Sequence, residues 1–132
     1  MPIKITYINR DINIYDSFTQ IPNFNLVCII QCSVNNLTEE ISLPDNMNFP
    51  NLEYFYCSNN QLTLLPAFGT NINLPNLQYL DCSGNKLRFI SDNMNFPDLL
   101  EFNCCDNELT SLPDNMNFPN LREFSCYNNQ LT

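Results

Sequence analysis

The sequence predicts a solenoid of short parallel strands, one per repeat, with a strand-lined concave face and a helix-poor convex side. Three observations carry this. An eleven-residue phrase begins at Val27, Leu52, Leu77, Leu99 and Leu121, so successive starts lie 25, 25, 22 and 22 residues apart, a period of stacked repeat units. Within each phrase apolar positions alternate with polar ones, as in a strand with one buried face. Between phrases a second segment recurs, "LPDNMNFPN" at 43–51 and 112–120, "ISDNMNFPD" at 90–98 and the looser "FGTNINLPN" at 68–76.

The 132-residue chain, 44% apolar, suits one small domain with enough apolar side chains for a core. Its net charge of −9, with no histidine and five basic residues, argues against phosphate backbones and anionic headgroups, so no nucleic acid and no membrane is expected as a partner. The start, "MPIKITYINRDINIY", alternates instead of forming the apolar run of a secretion signal, and no stretch reaches membrane-spanning length. Seven cysteines are an odd number placed mostly on the repeat, which points to packing instead of disulfides and to a cytoplasmic, reducing compartment. The sequon Asn36-Leu37-Thr38 does not change this, because Leu37 belongs to an apolar column.

Residues 1–26 precede the repeats. "IKITYI" and "INIY" flank "NRD" and read as two short strands joined by a turn, and "FTQIPNFN" reads as a worn copy of the recurring segment, so the stretch is expected to be an N-terminal cap. It is too short, and its pattern too little helical, for a helical adaptor.

Residues 27–132 form five repeats, the last incomplete, each reading L-x-x-L-x-C-x-x-N-x-L. Column one holds Val27, Leu52, Leu77, Leu99 and Leu121; column four holds Ile30, Phe55, Leu80, Phe102 and Phe124; column eleven holds Leu37, Leu62, Leu87, Leu109 and Leu131. Columns four and six point inward, and columns three, five and seven outward. Column six is cysteine throughout, Cys32, Cys57, Cys82, Cys104 and Cys126, small and apolar enough to let neighbouring coils approach. Column nine is asparagine throughout, Asn35, Asn60, Asn85, Asn107 and Asn129. Each amide is expected to satisfy backbone groups of its own turn and the next.

This pattern resembles the leucine-rich repeat, L-x-x-L-x-L-x-x-N/C-x-L, over about Val27 to Thr132. Cysteine at the sixth position resembles the cysteine-ladder variants of internalin-like repeats, and the asparagine and isoleucine usage resembles that of repeat proteins from AT-rich genomes such as amoebae and their giant viruses. The resemblance implies the horseshoe class of α/β solenoid, here with an extended or 3₁₀ convex side. It also implies a protein-interaction role on the concave sheet.

In the returning segments, Met47, Met94 and Met116 with Phe49, Phe96 and Phe118 are expected to anchor inward, while proline and asparagine disfavour long helix. The 25-residue units carry about three additional residues near Glu39–Ile41 and Ala67–Thr70, expected to bulge on the convex side. The sequence stops just after Leu131, which leaves the last apolar side uncapped and predicts self-association there or a longer gene product.

Function is expected on the exposed columns. Tyr54, Tyr56 and Tyr79 bring large contact area with polar tips, and Asp81, Glu101, Asp106 and Glu123 make the surface acidic toward its C-terminal end, with Asn103 and Tyr127 beside them. The expected ligand is a protein or extended peptide with basic and apolar features; tyrosines that serve only the sheet remain the alternative. Cys28 and Cys105 lie off column six, and Cys105, at column seven, is expected to face outward as the better candidate for a reactive thiol. With no histidine to pair a thiol and two widely separated glycines, Gly69 and Gly84, no catalytic residue, metal or cofactor is expected. Two roles stay open: a non-catalytic interaction module, or the substrate-recognition scaffold of a ubiquitin-ligase-like assembly whose catalytic part is on another chain.

Overall fold

A computed structural model describes residues 3–7, 9–16, 18–33, 36–40, 48–66, 68 and 73–132. Asn35, Met47, Ile41, Ala67, Gly69 and Thr70 lie outside the described residues.

The chain opens with an antiparallel hairpin of β1 (Ile3–Tyr7) and β2 (Ile12–Tyr15). Its turn is explained locally. Tyr7 N–H donates to the Asp11 carbonyl at 3.0 Å and Arg10 N–H to the Tyr7 carbonyl at 2.8 Å. Arg10 takes the left-handed conformation, φ 69°, that closes a three-residue hairpin loop. Asn9 holds Asp11 twice, accepting from its amide at 3.0 Å and donating to Oδ2 at 2.7 Å.

Each repeat then contributes one strand to the main sheet: β3 (Val27–Gln31), β5 (Tyr54–Tyr56), β7 (Tyr79–Asp81), β8 (Glu101–Asn103) and β9 (Glu123–Ser125). These pair in parallel, and β1 joins β3 antiparallel, giving a seven-stranded sheet ordered β2-β1-β3-β5-β7-β8-β9. The register keeps like columns side by side, so Ile30, Phe55, Leu80, Phe102 and Phe124 form one row. A single strand cannot bury such a row; stacked neighbours can.

Val27, Leu52, Leu77 and Leu99 of column one, and Ile30, Phe55, Leu80 and Phe102 of column four, are buried. Phe49, Met94 and Phe96 join them from the returning segments, and Met116 and Phe118 pack partly buried against them. Edge-to-face contacts link Phe24 to Phe49, Phe55 to Phe68, Phe68 to Phe96 and Phe102 to Phe118, a geometry favoured by ring quadrupoles. Aromatic packing thus runs the length of the solenoid.

Among the described residues the convex side holds no α-helix, only 3₁₀ turns at Phe18–Gln20 and Phe24–Leu26. A second, two-stranded parallel sheet joins β4 (Thr38–Glu40) to β6 (Gln61–Leu64). Both strands belong to 25-residue units; the 22-residue units return through turns joined by backbone bonds such as Glu108 N–H to the Leu87 carbonyl at 2.9 Å and by the bridge Asn95–Asn117. The additional residues expected to bulge therefore act differently where described. Glu39 and Glu40 run in β4, and Phe68 turns inward at 1% exposure to sit between Phe55 and Phe96.

Candidate functional site

The turn after each strand fixes the exposed face. Column nine asparagines supply its hydrogen bonds. Asn85 Nδ2 donates to the carbonyls of Cys57 (3.1 Å), Cys82 (3.0 Å) and Ser83 (3.3 Å), while its Oδ1 accepts from Leu62 N–H at 3.0 Å. Asn60, Asn107 and Asn129 repeat the arrangement. The reach is to the preceding coil, not the next as expected. Each column-six carbonyl faces forward along the stack, so the amide that meets it comes from the following repeat. Among the described residues no buried side-chain nitrogen or oxygen lacks a partner, as buried polar groups require.

Cys32, Cys57, Cys82 and Cys104 are buried and Cys126 is half-buried. Their backbone amides extend the ladder; Cys57 N–H, for example, donates to the Asp81 carbonyl at 2.9 Å. The thiols of Cys32, Cys82 and Cys104 lie 3.4 Å from the carbonyls of Tyr56, Asn103 and Ser125. Burial pushes the Cys32 and Cys104 thiols up to about 12 and those of Cys57 and Cys82 well above their ordinary value, the opposite of what a nucleophilic thiolate needs. Among the described residues no three histidine, cysteine, aspartate or glutamate side chains gather as a metal site would require.

Cys105 corrects the outward assignment of column seven. It is 1% exposed, because the chain has already left the strand and bends into the turn. Its amide donates to Asn103 Oδ1 at 3.1 Å, and its neighbourhood raises the Tyr127 phenol. Ser58 is likewise buried, its hydroxyl 3.0 Å from that of Ser33. At Ser58 and Cys105, then, column seven packs between coils, whereas Tyr127 of the same column faces out as expected. Cys28 is half-buried, with its thiol 3.3 Å from the Thr6 carbonyl.

Columns three and five do face out, and register sorts them into rows. One row runs Ile29, Tyr54, Tyr79, Glu101, Glu123; the next runs Gln31, Tyr56, Asp81, Asn103, Ser125. The Tyr54 and Tyr79 rings stack with centroids 4.8 Å apart at 10°, and Tyr56 lies 6.2 Å from Tyr54. The Glu101 carboxylate beside Tyr79 raises that phenol, and burial first, then the neighbouring phenols and carboxylates, raise Tyr56. Asp81 is partly engaged by its own turn, its Oδ1 accepting from Ser83 N–H at 3.0 Å and Oγ–H at 2.7 Å. Tyr127 stands 64% exposed at the edge of the set.

Two features were missed by the reading of the sequence. Ile12 and Ile14 are exposed on the hairpin beside Thr6 and Lys4, extending the concave rows to an apolar N-terminal pole; the alternation of "INIY" was the available signal. Column eight is left-handed at Asn59, Gly84, Asp106 and Asn128, with φ from 52° to 63°. In those four repeats the position holds Asn, Gly or Asp, the residues that tolerate that conformation, while the first repeat has Val34 in the column.

A family model described as Leucine Rich repeats (2 copies) matches residues 50–93, which hold the second unit and most of the third. No match was found among curated proteins or solved structures. Among the described residues no helix is long and apolar enough to cross a membrane.

Proposed function

This leucine-rich-repeat protein, we propose, is a non-catalytic interaction module that takes a protein or extended peptide with basic and apolar features on its concave sheet. Leucine-rich repeats are typically non-catalytic and generally bind protein partners. The proposed contact set is Tyr54, Tyr56, Tyr79, Asp81, Glu101, Asn103, Glu123 and Tyr127, with Ile12 and Ile14 added at the apolar pole. The cysteine and asparagine columns are given a structural role, and residues 1–26 that of a cap before repeats starting at 27, 52, 77, 99 and 121.

One observation carries the reading: a stacked tyrosine pair leads directly into Glu101 and Glu123, which stand side by side in register. Like charges on directly paired residues destabilise a sheet. A ligand cation relieves that repulsion, and the tyrosine faces receive its apolar or guanidinium parts. Panning a display library of unstructured peptides against the chain tests this. Enrichment of peptides with Lys or Arg beside apolar residues, lost with Tyr54→Ser/Tyr79→Ser and with Glu101→Gln/Glu123→Gln, is the expected result; enrichment indifferent to both variants overturns it.

The ubiquitin-ligase-like scaffold is a special case of this reading, distinguished by a ligase subunit that co-purifies. A cytoplasmic location is likewise proposed, from the free cysteines.

A further inference from the structure

Edge strands present unpaired backbone groups, and folded chains ordinarily blunt them with lysine, proline or bulges. β2 carries none of these within its span "INIY". It pairs with β1 through Ile3–Tyr15, Lys4–Ile14, Ile5–Asn13 and Thr6–Ile12. Because Tyr7 N–H bonds the Asp11 carbonyl, the alternation of an antiparallel ladder makes Ile5–Asn13 and Ile3–Tyr15 the hydrogen-bonded pairs. The amides and carbonyls of Ile12 and Ile14 therefore point away from β1, to the outer edge of the sheet. Their side chains share one face and are 56% and 66% exposed.

We propose that this edge pairs with β2 of a second copy of the chain, antiparallel about a two-fold axis at Asn13. In that register Ile12 meets Ile14 of the second copy and Ile14 meets Ile12. Both pairs are of the hydrogen-bonded kind, so the outward donors and acceptors of each copy are matched by those of the other. The four isoleucine side chains then meet on one face. Farther out, Arg10 comes opposite Asp16 of the second copy at both ends of the pair.

The alternatives within this edge are worse. A shift of one residue sets outward-facing groups of one copy against inward-facing groups of the other. A shift of two separates Arg10 from Asp16, and in one direction it asks for the Asp16 amide, which already donates to Gln20 Oε1 at 3.1 Å. Self-complementarity of this kind is what a closed two-fold interface requires.

Sedimentation equilibrium on the full chain reads the outcome. Wild type is expected to approach twice the 15.3 kDa chain mass as concentration rises. Ile14→Pro removes an outward amide while leaving the bonds to β1, and is expected to give the single-chain mass with an unchanged circular dichroism spectrum. Arg10→Asp and Asp16→Arg are each expected to weaken the dimer tenfold or more, and the double variant to restore it, a comparison that stands even if Ile14→Pro fails to fold. A single-chain mass for wild type at all concentrations overturns the proposal. So does a dimer that survives both charge reversals, or one lost in Phe124→Ser but kept in Arg10→Asp.

Discussion

Asn85 joins two coils through one planar amide: three carbonyls and one amide N–H, drawn from the second and third repeats, depend on it. Asn85→Ala leaves these groups in a site closed to water, so a loss of about 3 kcal/mol is expected in denaturant unfolding. Asn85→Asp keeps the acceptor for Leu62 N–H but aims a carboxylate at three carbonyls, and should be no better. One position earlier, Gly84 is held at φ 63°, and a Cβ there would lie 2.6 Å from Asn59 Oδ1. Gly84→Val is expected to cost about 2 kcal/mol or more, and Gly84→Asn clearly less, since Asn tolerates the conformation. Melting temperatures of the two variants give the order. Column nine was legible because one residue type fills it; column eight was not, because it mixes Val34 with Asn, Gly and Asp and its left-handed conformation has no periodic signal.

At the level of elements, strand positions and their register followed from the repeat, because one apolar row must stay continuous across neighbours. Three things escaped the same logic. Strand alternation does not extend past the strand, so Cys105 turned inward where the pattern pointed out. β4 takes in Glu39 and Glu40 of the additional residues, which carry no periodic signal of their own. Phe68 lies among those added residues, and only the fold shows that it completes the aromatic packing between Phe55 and Phe96. Phe68→Ala should therefore behave as a core truncation, costing roughly 3–5 kcal/mol in chemical denaturation; a cost under about 1 kcal/mol would show that the second repeat closes without it. The proposed concave contact set was legible as rows of tyrosine and carboxylate, but the exposed pair Ile12 and Ile14 beyond it depends on how the hairpin joins β3, which no repeat encodes.

Across the whole molecule, stacking buries the column-six thiol of each of the first four coils, and this gives the solenoid a pH limit that no single repeat would have. Burial raises Cys32 and Cys104 from 9.0 to about 12 and Cys57 and Cys82 well above 9.0, with neighbouring cysteines of the stack contributing in the same direction for Cys57, Cys82 and Cys104. Tyr7 follows from 10.0 to about 12, through burial and its bond to Tyr15. In each case the folded chain holds its proton where the unfolded chain has released it. The unfolded state therefore binds fewer protons above the ordinary thiol value, and stability falls as pH rises. The contribution is complete below about pH 9 and is lost progressively toward pH 12. Melting temperature measured from pH 7 to 11 should hold level and then drop beyond about 9, with Cys82→Ala dropping less steeply than wild type because one of the retained protons is gone. An equal slope in the two proteins would mean that the thiol column does not set the limit, and would move it to the tyrosines of the hairpin and the concave face.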